Sequence, residues 1–97
     1  MVMVKYETLI LVDPALGEEE VAKYAHKLEN FVGARKGKVI INENLGRKKL
    51  AYPVMKKWEG SYLRLEFDMP TSMLHEYEKD LRLEANVLRQ MTIRLES

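Results

Sequence analysis

The clearest regularity in the chain is an alternation near its middle. Leu63, Leu65, Phe67 and Met69 interleave with Tyr62, Arg64, Glu66 and Asp68. A period of two belongs to a strand that buries one face and wets the other. The opening segment, Lys5 to Val12, is also strand-like, being rich in β-branched and aromatic residues and closed by Asp13-Pro14. Both of its faces carry apolar residues, Tyr6, Thr8, Ile10 and Val12 on one and Lys5, Glu7, Leu9 and Leu11 on the other, so it is expected to be central in its sheet. After Gly17 the period changes. Glu18, Glu19 and Glu20 stand where a helix N-terminus favours negative charge, and Val21, Tyr24, Ala25, Leu28 and Phe31-Val32 recur at helical spacing until Gly33 ends the run.

A second strand is predicted from Val39 to Leu45, interrupted at Gly46 by a bulge and resumed from Arg47 to Pro53, with the hairpin tip over Lys56-Lys57-Trp58-Glu59-Gly60. Pro70 opens a second helix, with Thr71 or Ser72 as its cap and Met73, Leu74, Tyr77, Leu81 and Leu83 as its apolar stripe. Val87, Met91, Ile93 and Leu95, with Arg89 among them, form a fourth strand. The order β-α-β-β-α-β is that of the ferredoxin-like split β-α-β sandwich, an α+β fold with a four-stranded antiparallel sheet and both helices on one face. The helices give one layer only, so the other sheet face is uncovered. It is expected to carry Leu9, Leu11, Tyr62 and Arg64, a surface suited to a protein partner.

The chain of 97 residues is expected to form one domain over residues 1–97, and 46% apolar with 32% charged residues marks a globular composition. Without any Cys, disulfides and thiolate metal sites are excluded, which suits a reducing cytoplasm. No apolar run approaches the roughly 18 residues of a membrane helix, and the start has no signal-peptide pattern, so no membrane association is expected. The net charge of +1 argues little by itself, but its distribution is uneven. Between Arg35 and Lys57 stand eight bases against the single acid Glu43, a local charge of +7, while the remainder sums to −6. Such a stretch is an electrostatic footprint for phosphate, or else a solvated charged hairpin.

Catalytic chemistry finds little support. His26 and His75 are isolated on separate predicted helices, and no phosphate-binding Gly-rich loop or metal-binding helix motif is present. The turn Asp13-Pro14-Ala15-Leu16-Gly17 lacks the basic loop of a small acylphosphatase-like enzyme, and acids such as Glu76 and Glu78 fit a solvated helix face. No enzyme, cofactor, metal site or small-molecule substrate is expected. An RNA-recognition motif shares the topology but stacks bases on outward aromatics of its first and third strands. The segment Gly60 to Phe67 has no such pair, and Glu66 would face the nucleic acid. Phosphate contact with folded RNA needs only the bases.

The stretch Leu45-Gly46-Arg47-Lys48-Lys49-Leu50-Ala51-Tyr52-Pro53-Val54 is more specific. It resembles the signature of the bacterial small-subunit ribosomal protein S-six family: a glycine, a basic run, then Leu-Ala-Tyr-Pro and a β-branched residue. Lys5-Tyr6-Glu7, Gly33-Ala34-Arg35, Asp68-Met69-Pro70 and Asn86-Val87-Leu88-Arg89 agree in order and spacing, so the resemblance runs from about Val4 to Leu95. It implies a ferredoxin-like structural constituent of the small ribosomal subunit, cytoplasmic and within the ribosome. By the same resemblance the chain binds the central domain of small-subunit ribosomal RNA together with ribosomal protein S-eighteen. The expected phosphate contacts are Arg47, Lys48 and Lys49, with Tyr52 and Arg89 beside them and Lys56 and Lys57 at the hairpin tip. Many members carry a longer C-terminal tail than the Leu95-Glu96-Ser97 at which this sequence stops, so no role of that tail is carried over. Two rival readings use the same elements: an RNA-binding module outside the ribosome, and a regulatory domain that dimerises through the open sheet face and binds a metabolite.

Overall fold

The computed structural model describes residues 2–95. Its elements are β1 (Met3–Val12), α1 (Glu18–Ala34), β2 (Lys38–Val54), β3 (Lys57–Pro70), α2 (Thr71–Leu83) and β4 (Val87–Arg94). The sheet is antiparallel in the order β2-β3-β1-β4, so β1 is central as its two apolar faces require. This is the ferredoxin-like split β-α-β-β-α-β arrangement. Leu63, Leu65, Phe67 and Met69 of β3 join Tyr6, Ile10 and Val12 of β1 beneath α1 and α2. From α1 the stripe Val21, Tyr24, Leu28 and Val32 is buried, and from α2 Tyr77 and Leu81. Phe67 is the aromatic centre, its ring 4.9 Å from that of Tyr77 and 5.8 Å from that of Tyr6. Tilted aromatic contacts of this kind add stability beyond the area they bury.

Several local expectations are corrected. Gly33 lies inside α1, and the left-handed residue after the helix is Lys36 (φ 62°), with the Lys36 and Gly37 amides donating to the carbonyls of Gly33 and Val32. Glycine is needed next at Gly37, where a Cβ would come within 2.6 Å of the Asp68 carbonyl oxygen. Pro70 itself is the N-cap of α2, and neither Thr71 nor Ser72 supplies a side-chain cap. Leu83 is 73% exposed, because the helix ends there and its side chain points off the stripe. The hairpin tip is Met55-Lys56, and Lys57 to Gly60 already belong to β3. Both tip residues have positive φ (50° and 65°), the geometry of a two-residue turn whose twist matches the strands. Neither is Gly or Asn, so the usual turn signal is missing at a cost of about 1–2 kcal/mol per residue. The bulge expected at Gly46 is present: its φ is +86°, the register shifts there, and Asn44 Oδ1 accepts the Gly46 amide at 2.9 Å.

One polar ladder crosses the helix-covered side. Buried Tyr77 donates its hydroxyl to Thr8 Oγ1 at 3.3 Å, and the Thr8 and Thr92 hydroxyls are hydrogen-bonded at 3.1 Å. This places Thr92 and Gln90 beneath the helices and turns Met91 and Ile93 to the uncovered face, opposite Leu9 and Glu7. Burial pushes the Tyr77 phenol up to about 12, with a lowering contribution from Thr8 and a small raising one from Glu78. The folded chain therefore holds this proton more tightly than the unfolded chain. Its contribution is whole below about pH 10 and is lost as pH rises toward about 12. Urea unfolding between pH 8 and pH 11.5 should show stability falling, with Tyr77 contributing about 2 kcal/mol at the alkaline end. Burial also raises the Tyr24 phenol, so Tyr77→Phe should remove only its own part of the fall, and an equally steep fall in the variant would assign the whole of it to other groups.

Candidate nucleic-acid interface

The basic stretch is organised by where the sheet stops being four strands wide. β1 pairs with β3 as far as Val12 opposite Ser61, and Ser61 is also the partner of Arg47 in β2. Beyond this row β2 and β3 continue alone as a two-stranded ribbon to the Met55-Lys56 turn. The ribbon is bent, because residues 50–53 of β2 face only Trp58 between the pairs Lys49–Glu59 and Val54–Lys57. Pro53 has no amide to give to the ladder. The extra length throws the Leu-Ala-Tyr-Pro segment out of the sheet.

The candidate cations fall into two groups. Lys48, Lys49 and Lys56 are exposed and, among the described residues, hold no ion pair. Arg47 is engaged: Nη1 donates to Glu59 Oε1 at 2.6 Å, and Nη2 donates to the carbonyls of Pro14 at 2.8 Å and Leu16 at 3.4 Å. Lys57 Nζ lies 4.0 Å from Asp13 Oδ1. Arg89, on β4 opposite Leu11, donates from Nη1 to the Tyr52 hydroxyl at 2.7 Å, and that bond raises its pKa above the ordinary value. Arg35 does not reach the ribbon at all. It is clamped to Asp80 and Glu76 of α2 and donates to the Phe31 carbonyl at 3.2 Å. Part of the +7 stretch is thus internal wiring.

The uncovered face has two unlike ends. At the ribbon end, Leu9, Leu11, Tyr62, Arg89 and Met91 line a cavity of about 150 Å³. Leu11 is only 1% exposed and forms its floor, whereas Leu9 and Tyr62 are half-buried and Met91 is 51% exposed. Tyr62 and Arg89 also border a second hollow with Lys49, Leu50, Ala51, Tyr52 and Val54, so the apolar patch and the basic ribbon are continuous. At the far end Arg64 is held by three carboxylates, Glu7 at 2.8 Å, Glu43 at 2.7 Å and Glu66. The hydrogen bonds it donates to Glu43 and Glu7 raise its pKa above the ordinary value. One guanidinium among three carboxylates leaves this end anionic. The sequence pattern names Met91 and Ile93 as fourth-strand residues and Trp58 as part of the hairpin tip, but assigns none of them to the uncovered face or the ribbon surface. Met91 and Ile93 alternate with Gln90 and Thr92, which belong to the polar ladder. Trp58, 61% exposed beside Lys56 and Lys57, carried only its composition as a signal.

Comparison with known proteins bears on this arrangement. The family model described as ribosomal protein S6 matches residues 5–94. The chain belongs to the ribosomal protein S6 family. The small ribosomal subunit protein bS6 of Syntrophobacter fumaroxidans is 38% identical over 94 residues, which cover 97% of this chain and 64% of that protein. The bS6 protein of Geobacter sulfurreducens is 38% identical over 91 residues, 94% of this chain and 78% of the relative. The crystal structure of 30S ribosomal protein S6 from Thermotoga maritima superposes with a TM-score of 0.90 at 29% identity, covering 96% of this chain and 88% of that one. Membership of the S6 family makes the chain a structural, non-enzymatic component of the small ribosomal subunit, set among ribosomal RNA and ribosomal proteins.

In this chain the Arg64 cluster holds β1, β2 and β3 together from the uncovered side. Arg64→Met should lower the Tm at low ionic strength by leaving Glu7, Glu43 and Glu66 to repel one another. Salt, or Glu66→Gln in the same chain, should restore much of the loss. A Tm equal to wild type at 10 mM salt would show that the cluster contributes nothing.

Proposed function

We propose that this S6-family chain binds the central domain of small-subunit ribosomal RNA together with ribosomal protein S-eighteen. The observation that carries the reading is the junction at Arg89 and Tyr52, where an apolar cavity on the uncovered sheet face meets the exposed lysines of the ribbon. An RNA backbone and a protein partner can lie against this edge at once. Lys48 and Lys49 are the principal phosphate contacts, with Lys56 at the turn and Tyr52 and Arg89 beside them. Arg47 and Lys57 lie on the same ribbon, their charges met by Glu59 and Asp13. Leu9, Tyr62 and the Leu11 floor form the apolar part of the partner surface. The anionic end around Arg64 attracts a basic stretch of that partner.

RNA affinity of this kind is salt-dependent, because each phosphate neutralised releases counterions. The test measures binding to a central-domain fragment, with the partner present, for wild type and for Lys48→Ala/Lys49→Ala. The double variant should bind roughly 10–100-fold more weakly, and its slope of log affinity against log salt should be shallower by about 1–2. An unchanged affinity and slope would remove the ribbon from the RNA surface.

A further inference from the structure

The ribbon presents a mechanical problem. Two strands without a third neighbour are marginally stable in water, and nothing in their own pairing sets the direction in which they leave the sheet. The row Arg47–Ser61–Val12–Val87 is the last one that β1 and β4 support. At that row the Arg47 guanidinium joins three segments: its own strand, Glu59 of β3, and the Pro14 and Leu16 carbonyls of the turn between β1 and α1. The turn is a firm anchor. The Asp13 amide donates to the Asn86 carbonyl at 2.9 Å, Asp13 Oδ1 accepts the Ala15 amide at 2.8 Å, and Leu16 is buried in the core. On the opposite face the Arg89–Tyr52 hydrogen bond ties the bulged segment to β4. The base of the ribbon is close-packed besides, since a Cβ on Gly60 would come within 2.7 Å of the Val12 carbonyl oxygen.

We infer that Arg47 is a positioning residue, which fixes the angle of the ribbon and so the placement of Lys48 and Lys49, and is not itself a phosphate ligand. The inference rests on the proposed RNA-binding role of the ribbon. Two of its guanidinium nitrogens already hold acceptors, and turning the group to an RNA phosphate would release Glu59 as an unpaired anion beside the RNA. A fixed ribbon meets the RNA without first losing orientational freedom, and affinity gains accordingly. The planar fork matters here, because a lysine offers one point charge and cannot span a carboxylate and two carbonyls.

Arg47→Lys and Arg47→Met, each shown to be folded by far-ultraviolet circular dichroism, are compared with wild type and Lys48→Met, with central-domain RNA, the partner and a salt series. Trp58, the single tryptophan of the chain, stands on the ribbon, and its time-resolved anisotropy reports ribbon motion without RNA. Both Arg47 variants should lose roughly tenfold in affinity, keep the wild-type salt slope, and show faster Trp58 depolarisation. Lys48→Met should instead flatten the salt slope and leave Trp58 unchanged. Wild-type affinity in Arg47→Lys, with a flattened slope in Arg47→Met, would make Arg47 a phosphate ligand and overturn the inference. Wild-type binding and anisotropy in both folded variants would overturn it too. If Trp58 is freed in the Arg47 variants while Lys48→Met and both Arg47 variants bind RNA like wild type, the RNA-binding role of the ribbon is what fails.

Discussion

Two helices can cover only one face of a four-stranded sheet, and most of this structure follows from that limit. Alternate residues of β1, β3 and β4 must go to a side with no helix above it. The covered side is filled in the usual way, with Phe67 between Tyr6 and Tyr77 and leucines around them. The uncovered side has been given two solutions to exposure. At one end Arg64 draws Glu7, Glu43 and Glu66 into a cross-strand cluster that needs no cover. At the other end Leu9, Leu11, Tyr62 and Met91 leave an apolar hollow that another surface can fill.

The second consequence concerns length. β2 and β3 are longer than β1, so their ends outrun the sheet and become a ribbon. Charge then divides by partner. Arg47, Arg89 and Lys57 meet internal acceptors, Glu59, two carbonyls, Tyr52 and Asp13. Lys48, Lys49 and Lys56 are exposed to water. An S6-family domain of low net charge can in this way offer a concentrated basic edge, because the internal arginines hold the ribbon and the exposed lysines carry the field.

The sequence disclosed what depends on periodicity. The alternation of β3, the stripe of α1 and the two apolar faces of β1 led directly to the element order and to the central place of β1. It did not disclose what depends on distant partners. Nothing in Arg35 or Arg47 tells that one meets Asp80 and the other Glu59 and two backbone carbonyls. The tip at Met55-Lys56 was hidden because two ordinary residues take positive φ where Asn-Gly is usual. The bend at residues 50–53 was hidden because a bulge is a relation between strands and leaves little trace in one of them. Met91 and Ile93 were legible as strand residues, while their side was decided by the Thr8–Thr92 ladder.

The proposed role has one edge of the domain serve RNA and protein together. The most direct test is binding of the unmodified chain to a central-domain ribosomal RNA fragment, with and without S-eighteen, at low and moderate salt. Binding that needs the partner and weakens with salt is the predicted result. Absence of binding at low salt, with the partner present, would contradict it.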